Sequence, residues 1–316
     1  MKLGISTCLL GVNCRYDGGH SKDKFILNDL GKHFEFRSFC PEGEIYPTPR
    51  EAIRQVRVNG NLIIKTSNTQ NDVTNEINNI SKKLVDQIKD DDLCGYILKS
   101  KSPTCGMARV KIYPDGEGQS ENVGVGVFAK ELMEKFPLLP VEEEGRLTDP
   151  WLKENFLMQI FAYKNIFDFL KTNPSIGELV DFHTSYKYLI YSKSHEAYKQ
   201  LGQIVANHEK KDKEIVFEEY KQNFLEAINE KGTISKTYNV LMHIFGYFKK
   251  FITKDEKEEV LTSMQEFKDG IIPLIAIIKI IKIYVKRFDI KYLEKQKFLQ
   301  PYPKELALRS NVKAYK

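Results

Sequence analysis

Alternating apolar and polar positions open the chain. Lys2 to Cys8 reads as a β-strand that closes into a loop at Cys8-Leu9-Leu10-Gly11. The pattern recurs at His33 to Cys40, where Phe34-Glu35-Phe36-Arg37-Ser38-Phe39 is β-prone and ends on a cysteine followed by Pro41. A third run, Cys94-Gly95-Tyr96-Ile97-Leu98-Lys99, leads into the loop Ser100-Lys101-Ser102-Pro103-Thr104-Cys105-Gly106. Before it the period changes: Val73, Ile77, Ile80, Leu84 and Ile88 recur at spacings of three and four, which predicts an amphipathic helix over 72–89. Strands alternating with helices imply a Rossmann-like, mainly parallel sheet. In such sheets ligands bind beyond the carboxyl ends of the strands. Cys8, Cys40 and Cys105 each lie at or just after such an end, so three thiols far apart in sequence can converge on one edge. Cys94 begins its strand and belongs at the opposite edge, while Cys14 falls in the first loop.

From Thr148-Asp149-Pro150 onward the pattern is helical, with Thr148 or Asp149 placed to cap a helix starting at Pro150 or Trp151. Further helices are expected at about 175–191, 195–208, 213–229, 235–251, 256–269 and 273–287, and the tail 300–306 reads as extended. The expected architecture is an α/β N-terminal domain, residues 1–146, joined to an all-α C-terminal domain, residues 147–316.

At 41% hydrophobic and 29% charged, the 316 residues have the make-up of an ordinary globular protein, not of a disordered one. The first residues lack the pattern of a signal peptide. The most apolar stretch, Ile271 to Val285, is broken by Lys279 and Lys282 and is too short to span a bilayer. A cytoplasmic location and no membrane partner are therefore expected, and no obligate protein partner is implied. The net charge of +5 is unevenly spread: residues 1–150 hold 20 Lys and Arg against 22 Asp and Glu, a balance of −2, so the remainder carries +7. A basic half beside a cysteine-bearing half suggests a polyanionic substrate, although a solvated lysine surface explains the same count.

Five cysteines, all within the first 105 residues, make an odd number for a disulfide framework. With no Cys-x-x-Cys pair a structural zinc site is disfavoured. Spacing alone leaves open an iron-sulfur cluster or inert buried thiols.

The residues themselves narrow this choice. Cys8-Leu9-Leu10-Gly11, Arg15-Tyr16-Asp17-Gly18-Gly19-His20, Cys40-Pro41-Glu42, Pro47-Thr48-Pro49-Arg50 and Lys101-Ser102-Pro103-Thr104-Cys105-Gly106, in that order, resemble the thiouracil desulfidase (TudS) family over about residues 1–145. The second half is similar to the YbgA-type helical domain through Phe182-His183-Thr184, Tyr198-Lys199-Gln200-Leu201-Gly202, the run 239–248, Gly270-Ile271-Ile272-Pro273-Leu274 and Pro301-Tyr302-Pro303-Lys304-Glu305-Leu306. The combination resembles RudS-type RNA desulfidases that act on 4-thiouridine in tRNA.

That resemblance implies a 4Fe-4S cluster held by Cys8, Cys40 and Cys105, with one open iron for the thiocarbonyl sulfur. Cys14 departs from many relatives and is set aside as a non-ligand. On this reading Glu42 is the base that activates water, and Ser102 hydrogen-bonds the base or the departing sulfur. Alternatively, Glu42 caps a helix starting near Pro47 or pairs with Arg50, and Ser102 merely makes a turn. Arg15, Asp17, Arg50 and Lys101 are the substrate-binding candidates, with an Arg15–Asp17 ion pair as the bland alternative, and His20 is read as structural. In the helical domain His183, Lys187, His243, Tyr247, Lys249 and Lys250 have the aromatic and basic mix of RNA-binding surfaces. Helical spacing places Tyr247 and Phe248 in a core, and Lys249, Lys250 and Lys304 are the phosphate candidates. The expected function is hydrolytic desulfuration of tRNA 4-thiouridine. The rivals are the same chemistry on free thiouracil and a non-catalytic RNA-binding protein with a structural or redox-sensing cluster.

Overall fold

The computed structural model describes residues 1–207 and 209–306, which divide into two compact units, Met1–Phe156 and the described residues from Leu157 onward. The first unit holds eight strands: β1 (Lys2–Ser6), β2 (Glu35–Phe39), β3 (Ile53–Val58), β4 (Asn61–Thr66), β5 (Leu93–Leu98), β6 (Val110–Pro114), β7 (Glu121–Gly124) and β8 (Val141–Glu143). Its helices are α1 (Lys24–Asn28), α2 (Pro41–Ile45), α3 (Thr74–Ile88) and α4 (Val127–Lys135), and α5 (Pro150–Lys171) begins in this unit and ends in the second. The second unit continues with α6 (Ile176–Lys193), α7 (His195–Ala206), α8 (Lys213–Asn229), α9 (Ile234–Phe245), α10 (Lys254–Lys268), α11 (Leu274–Arg287) and α12 (Lys291–Glu294).

One sheet has the order β2-β1-β5-β8 and is parallel throughout. All six residues of β5 are buried, as expected of a central parallel strand. Gly4 of β1 lets the Tyr96 ring lie flat on the strand, because a Cβ there would come within 2.2 Å of that ring. Tyr96 spans the sheet by donating its hydroxyl to the Ile5 carbonyl at 3.2 Å, and it packs on Phe128 of α4. The amphipathic helix read from 72–89 is α3, which turns Ile77, Leu84 and Ile88 inward.

A second sheet, β4-β3-β6-β7, has no counterpart in the sequence reading and is mixed, with antiparallel pairs β3–β4 and β6–β7 around the parallel pair β3–β6. Its strands are short and half-exposed, so their periodicity is weak.

Several helix ends differ from expectation for local reasons. No helix starts near Pro47. The helix there is α2, with Pro41 at its first position and Cys40 as N-cap, the Cys40 thiol accepting from the Gly43 amide at 3.3 Å. Ser175 stands outside α6, and the helix expected from Glu256 starts earlier, at Lys254, because Ser175 and Thr253 are each the N-cap of a capping box, with Glu178 and Glu256 respectively. The helix expected to reach Phe251 stops at Phe245, before Gly246, and the following turn folds Phe248 inward to 0% exposure. The tail expected to be extended ends in a 3-10 turn at Lys304–Leu306. The expected end of the helix 195–208, His208, lies outside the described residues. Among the described residues no helix is long and apolar enough to cross a membrane.

Candidate active site

The parallel register places the ends of β1, β2 and β5 side by side, and the cysteine segments leave the sheet there. Cys8 sits in the 3-10 turn Thr7–Leu10 that follows β1, Cys40 follows β2, and Cys105 lies in the loop after β5. All three line one cavity of about 310 Å³, at the small end of the range for ligand pockets. Cys94 is at the other end of β5, fully buried, its thiol donating to the Lys2 carbonyl at 3.0 Å.

The loop carrying Cys105 is fixed from three sides. Gln55 of β3, buried in the sheet, donates its amide to the carbonyls of Pro103 (3.0 Å) and Val125 (2.7 Å). The amides of Val127, Phe128 and Ala129, which would otherwise be orphaned at the start of α4, donate to the carbonyls of Pro103 and Thr104. Gly126 allows this approach, since a Cβ there would lie 2.5 Å from the Thr104 backbone. Ser102 Oγ accepts from the amides of Thr104 and Cys105 at 3.3 and 3.1 Å, tightening the turn.

Glu42 enters the cavity from α2. Its Oε1 accepts from Thr104 Oγ1 at 2.7 Å, and its Oε2 accepts from Arg50 Nη2 at 3.1 Å. The same Arg50 nitrogen donates to the Cys14 carbonyl at 2.9 Å. Glu42 therefore does pair with Arg50, but inside the cavity and not as the cap of a helix at Pro47. Thr104, which the sequence reading passed over, is the hydroxyl on Glu42. Ser102 reaches the carboxylate only through Thr104, 2.9 Å from it. The signal was available, because Thr104 directly precedes Cys105.

Of the remaining candidates, Arg15 and Lys101 line the cavity with Arg50, whereas Asp17 does not. Asp17 is exposed, lies 3.4 Å from Arg15 and accepts the Gly19 amide at 3.0 Å; this hydrogen bond and the Arg15 charge hold its carboxyl below the usual range. Asp17 thus belongs to the loop's own structure. His20 lies outside the cavity lining, its Nδ1 accepting from the Lys22 amide at 3.2 Å.

Cys14 does not stand apart. It lines the same cavity, its carbonyl accepting from the Cys40 thiol at 3.8 Å, so four thiols meet here where three were expected. Its hydrogen bond with Cys40 draws its pKa down, but contact with Cys8 and burial outweigh this and push it up to about 11. The hydrogen bond with Cys14, then burial, hold the Cys40 thiol well above its ordinary value. Burial, then the neighbouring Cys40, push Cys105 up to about 12. The Arg50 charge favours the Cys14 thiolate but is outweighed, so Cys14, Cys40 and Cys105 resist ionising. Among the described residues no three His, Cys, Asp or Glu side chains close on a point as a single ion requires.

In the second unit the RNA candidates separate. Lys249, Lys250 and Lys304 are exposed, and so are His243 and Tyr247, while Phe248 is core. His183 is not on the surface. It is 9% exposed against Tyr220, and burial, then the Lys187 charge, lower its pKa to about 4, so it is a neutral core residue at neutral pH. Lys187 is half-buried over the Tyr198 ring.

A solved structure of the 4Fe-4S-dependent thiouracil desulfidase TudS is 28% identical, covers 46% of this chain and 93% of its own, and superposes with a TM-score of 0.37. The uncharacterized protein YbgA of Escherichia coli K12 is 26% identical over 157 residues, 49% of this chain and 93% of YbgA. Residues 3–144 match the family model described as 2-thiouracil desulfurase, and residues 187–303 match the family described as a protein of unknown function, DUF1722. The thiol-lined cavity falls wholly within the first match, and the chain is thus an enzyme of desulfidase type in which a TudS-like domain that matches the 2-thiouracil desulfurase model is fused to a YbgA-type domain.

Proposed function

We propose that the chain removes sulfur from 4-thiouridine in tRNA by hydrolysis. Water adds its oxygen to the ring carbon that bears sulfur, the carbon–sulfur bond breaks, and uridine and sulfide result with no net change in oxidation state. The observation that carries the reading is the convergence of Cys8, Cys40 and Cys105 with a braced carboxylate, Glu42, in one cavity.

The donor set fits an iron-sulfur cluster. Cys8, Cys14, Cys40 and Cys105 line one cavity, and none is in a disulfide. Cys8, Cys40 and Cys105 would hold a 4Fe-4S cluster. When bound, it supplies a soft, Lewis-acidic iron without a protein ligand, suited to a thiocarbonyl sulfur. The chain's own groups do the rest. Each oxygen of Glu42 uses one lone pair on Thr104 or Arg50 and keeps another with which to take a proton from water. Arg50 and Thr104 fix the direction of that lone pair, and Arg15 and Lys101 lie at the cavity wall to meet the base. The +7 charge of the second half, with Lys249, Lys250 and Lys304 exposed, supports RNA over a free base.

The test is sulfide release by the anaerobically reconstituted chain from tRNA containing 4-thiouridine and from free 4-thiouracil. Release from tRNA that weakens as salt rises is the expected result; release from the free base alone would overturn the RNA assignment. Thr104→Val, which keeps the shape and removes the hydroxyl on Glu42, is expected to lower kcat by roughly one to two orders of magnitude, with Thr104→Ser restoring most of it. Wild-type turnover in the valine variant would remove Thr104 from the mechanism.

A further inference from the structure

Beside the thiol cavity lies a larger groove of about 850 Å³, and the two share Ile53, Ser100, Lys101 and Pro103 in their walls. Five cationic side chains line the groove: Arg54 on β3, Lys101, Arg109, Lys111 on β6, and Arg146. They stand out because residues 1–150 carry a net charge of −2.

The groove's acidic groups accept from backbone amides, and Glu143 also meets one groove cation, Arg109. Glu143, 1% exposed, accepts the amides of Met107 and Ala108 at 2.8 and 3.4 Å and lies 3.5 Å from Arg109. Asp149 accepts the Leu152 amide at 2.9 Å. Arg146 is paired with Glu142 at 2.6 Å, while Arg54, Lys101 and Lys111 have no carboxylate partner among the described residues. Arg54 lies 5.2 Å from the Tyr113 ring centroid, and its Nε is buried without a hydrogen-bond partner. Five cations gathered in a concavity, only two of them paired with carboxylates, form a site for a polyanion. The volume and the spread of charges over separate segments exceed what one phosphate needs.

We infer that this groove holds the sugar-phosphate chain of the RNA strand whose thiolated base occupies the adjoining thiol cavity. The first unit thereby grips RNA itself, through a surface distinct from Lys249, Lys250 and Lys304. The inference rests on the desulfidase reading above for the identity of the base, and on the groove alone for the phosphates.

The test uses the full chain with Arg109→Ala and Lys111→Ala together. Both residues are exposed and neither belongs to the thiol cavity. Lys111→Ala alone serves as a milder variant should the pair disturb folding. Binding of a labelled single-stranded oligoribonucleotide, with and without one 4-thiouridine, is followed by fluorescence anisotropy across a salt series. Sulfide release is measured for that oligomer, for 4-thiouridine and for its 5′-monophosphate. The double variant is expected to bind both oligomers roughly tenfold more weakly and to lose about one unit or more of the salt slope. Turnover of the nucleoside should stay within about twofold. An unchanged affinity and salt slope would overturn the inference, as would an equal loss for nucleoside and oligomer. A loss for the monophosphate as large as for the oligomer would reduce the groove to a single-phosphate site and overturn the RNA-strand assignment. If no substrate yields sulfide, yet the unthiolated oligomer still shows the salt-dependent loss, the groove stands and the desulfidase reading falls.

Discussion

Cys105→Ala is expected to leave the reconstituted chain without a stable iron-sulfur cluster and without detectable sulfide release from any thiolated pyrimidine. Cys8, Cys40 and Cys105 reach the cavity from the ends of β1, β2 and β5. Removing Cys105 leaves two of these assigned ligands, with Cys14 of the first loop as the one other thiol in the cavity lining and no thiol at that end of β5, too few strand-end ligands to retain a cubane that already has one iron without a protein ligand. The fold itself should survive, because deleting one buried sulfur costs about 1 kcal/mol, comparable to a methylene. Iron and acid-labile sulfide content, together with visible absorbance, provide the readout. Two controls sharpen it. Cys94→Ala removes a thiol at the opposite end of β5 and should retain the cluster, and so should Cys14→Ala if three ligands suffice. Full iron content in Cys105→Ala would sink the ligand assignment, and loss of iron in Cys14→Ala would make the site a four-thiol one.

Glu42→Gln should retain iron and RNA affinity while kcat falls by about 10²- to 10⁴-fold, the usual worth of a positioned general base, or about 3–5 kcal/mol of barrier. The substitution is nearly isosteric. The Gln carbonyl can turn to Arg50 and its NH₂ to Thr104 Oγ1, which is able to accept, so the cavity's hydrogen bonds remain satisfiable. Only the ability to take a proton is lost. The competing account makes Glu42 a structural partner of Arg50, whose side chain is 7% exposed at 3.1 Å. On that account Glu42→Gln lowers iron content and melting temperature along with activity. Turnover at the wild-type rate would exclude Glu42 as the base.

The strands β1, β2 and β5, the helix α3 and most helices of the second unit were legible from periodicity, because a two-residue or a 3.6-residue repeat is imposed by the face an element buries. The three cysteines at strand ends were legible for the same reason. Parallel pairing puts those ends on one edge whatever the loops do. The partners of Glu42 were not legible. Arg50 and Thr104 stand 8 and 62 residues from it in sequence, and their meeting depends on where α2 and the β5 loop are held. The same is true of Cys14 and of the cationic groove, whose members come from β3, β6, the segment between β5 and β6, and the turn at Arg146. His183 shows the reverse error. Its aromatic and basic neighbours in sequence suggested a surface, but the helix turns it onto Tyr220 in the core. By itself the sequence determined β1, β2, β5, α3 and most helices of the second unit, and which end of the sheet carries the thiols, since these follow from local repeats and from the direction of the chain. Only the tertiary structure decided which side chains share the cavity with them, because that depends on long-range packing and on hydrogen bonds that no local repeat encodes.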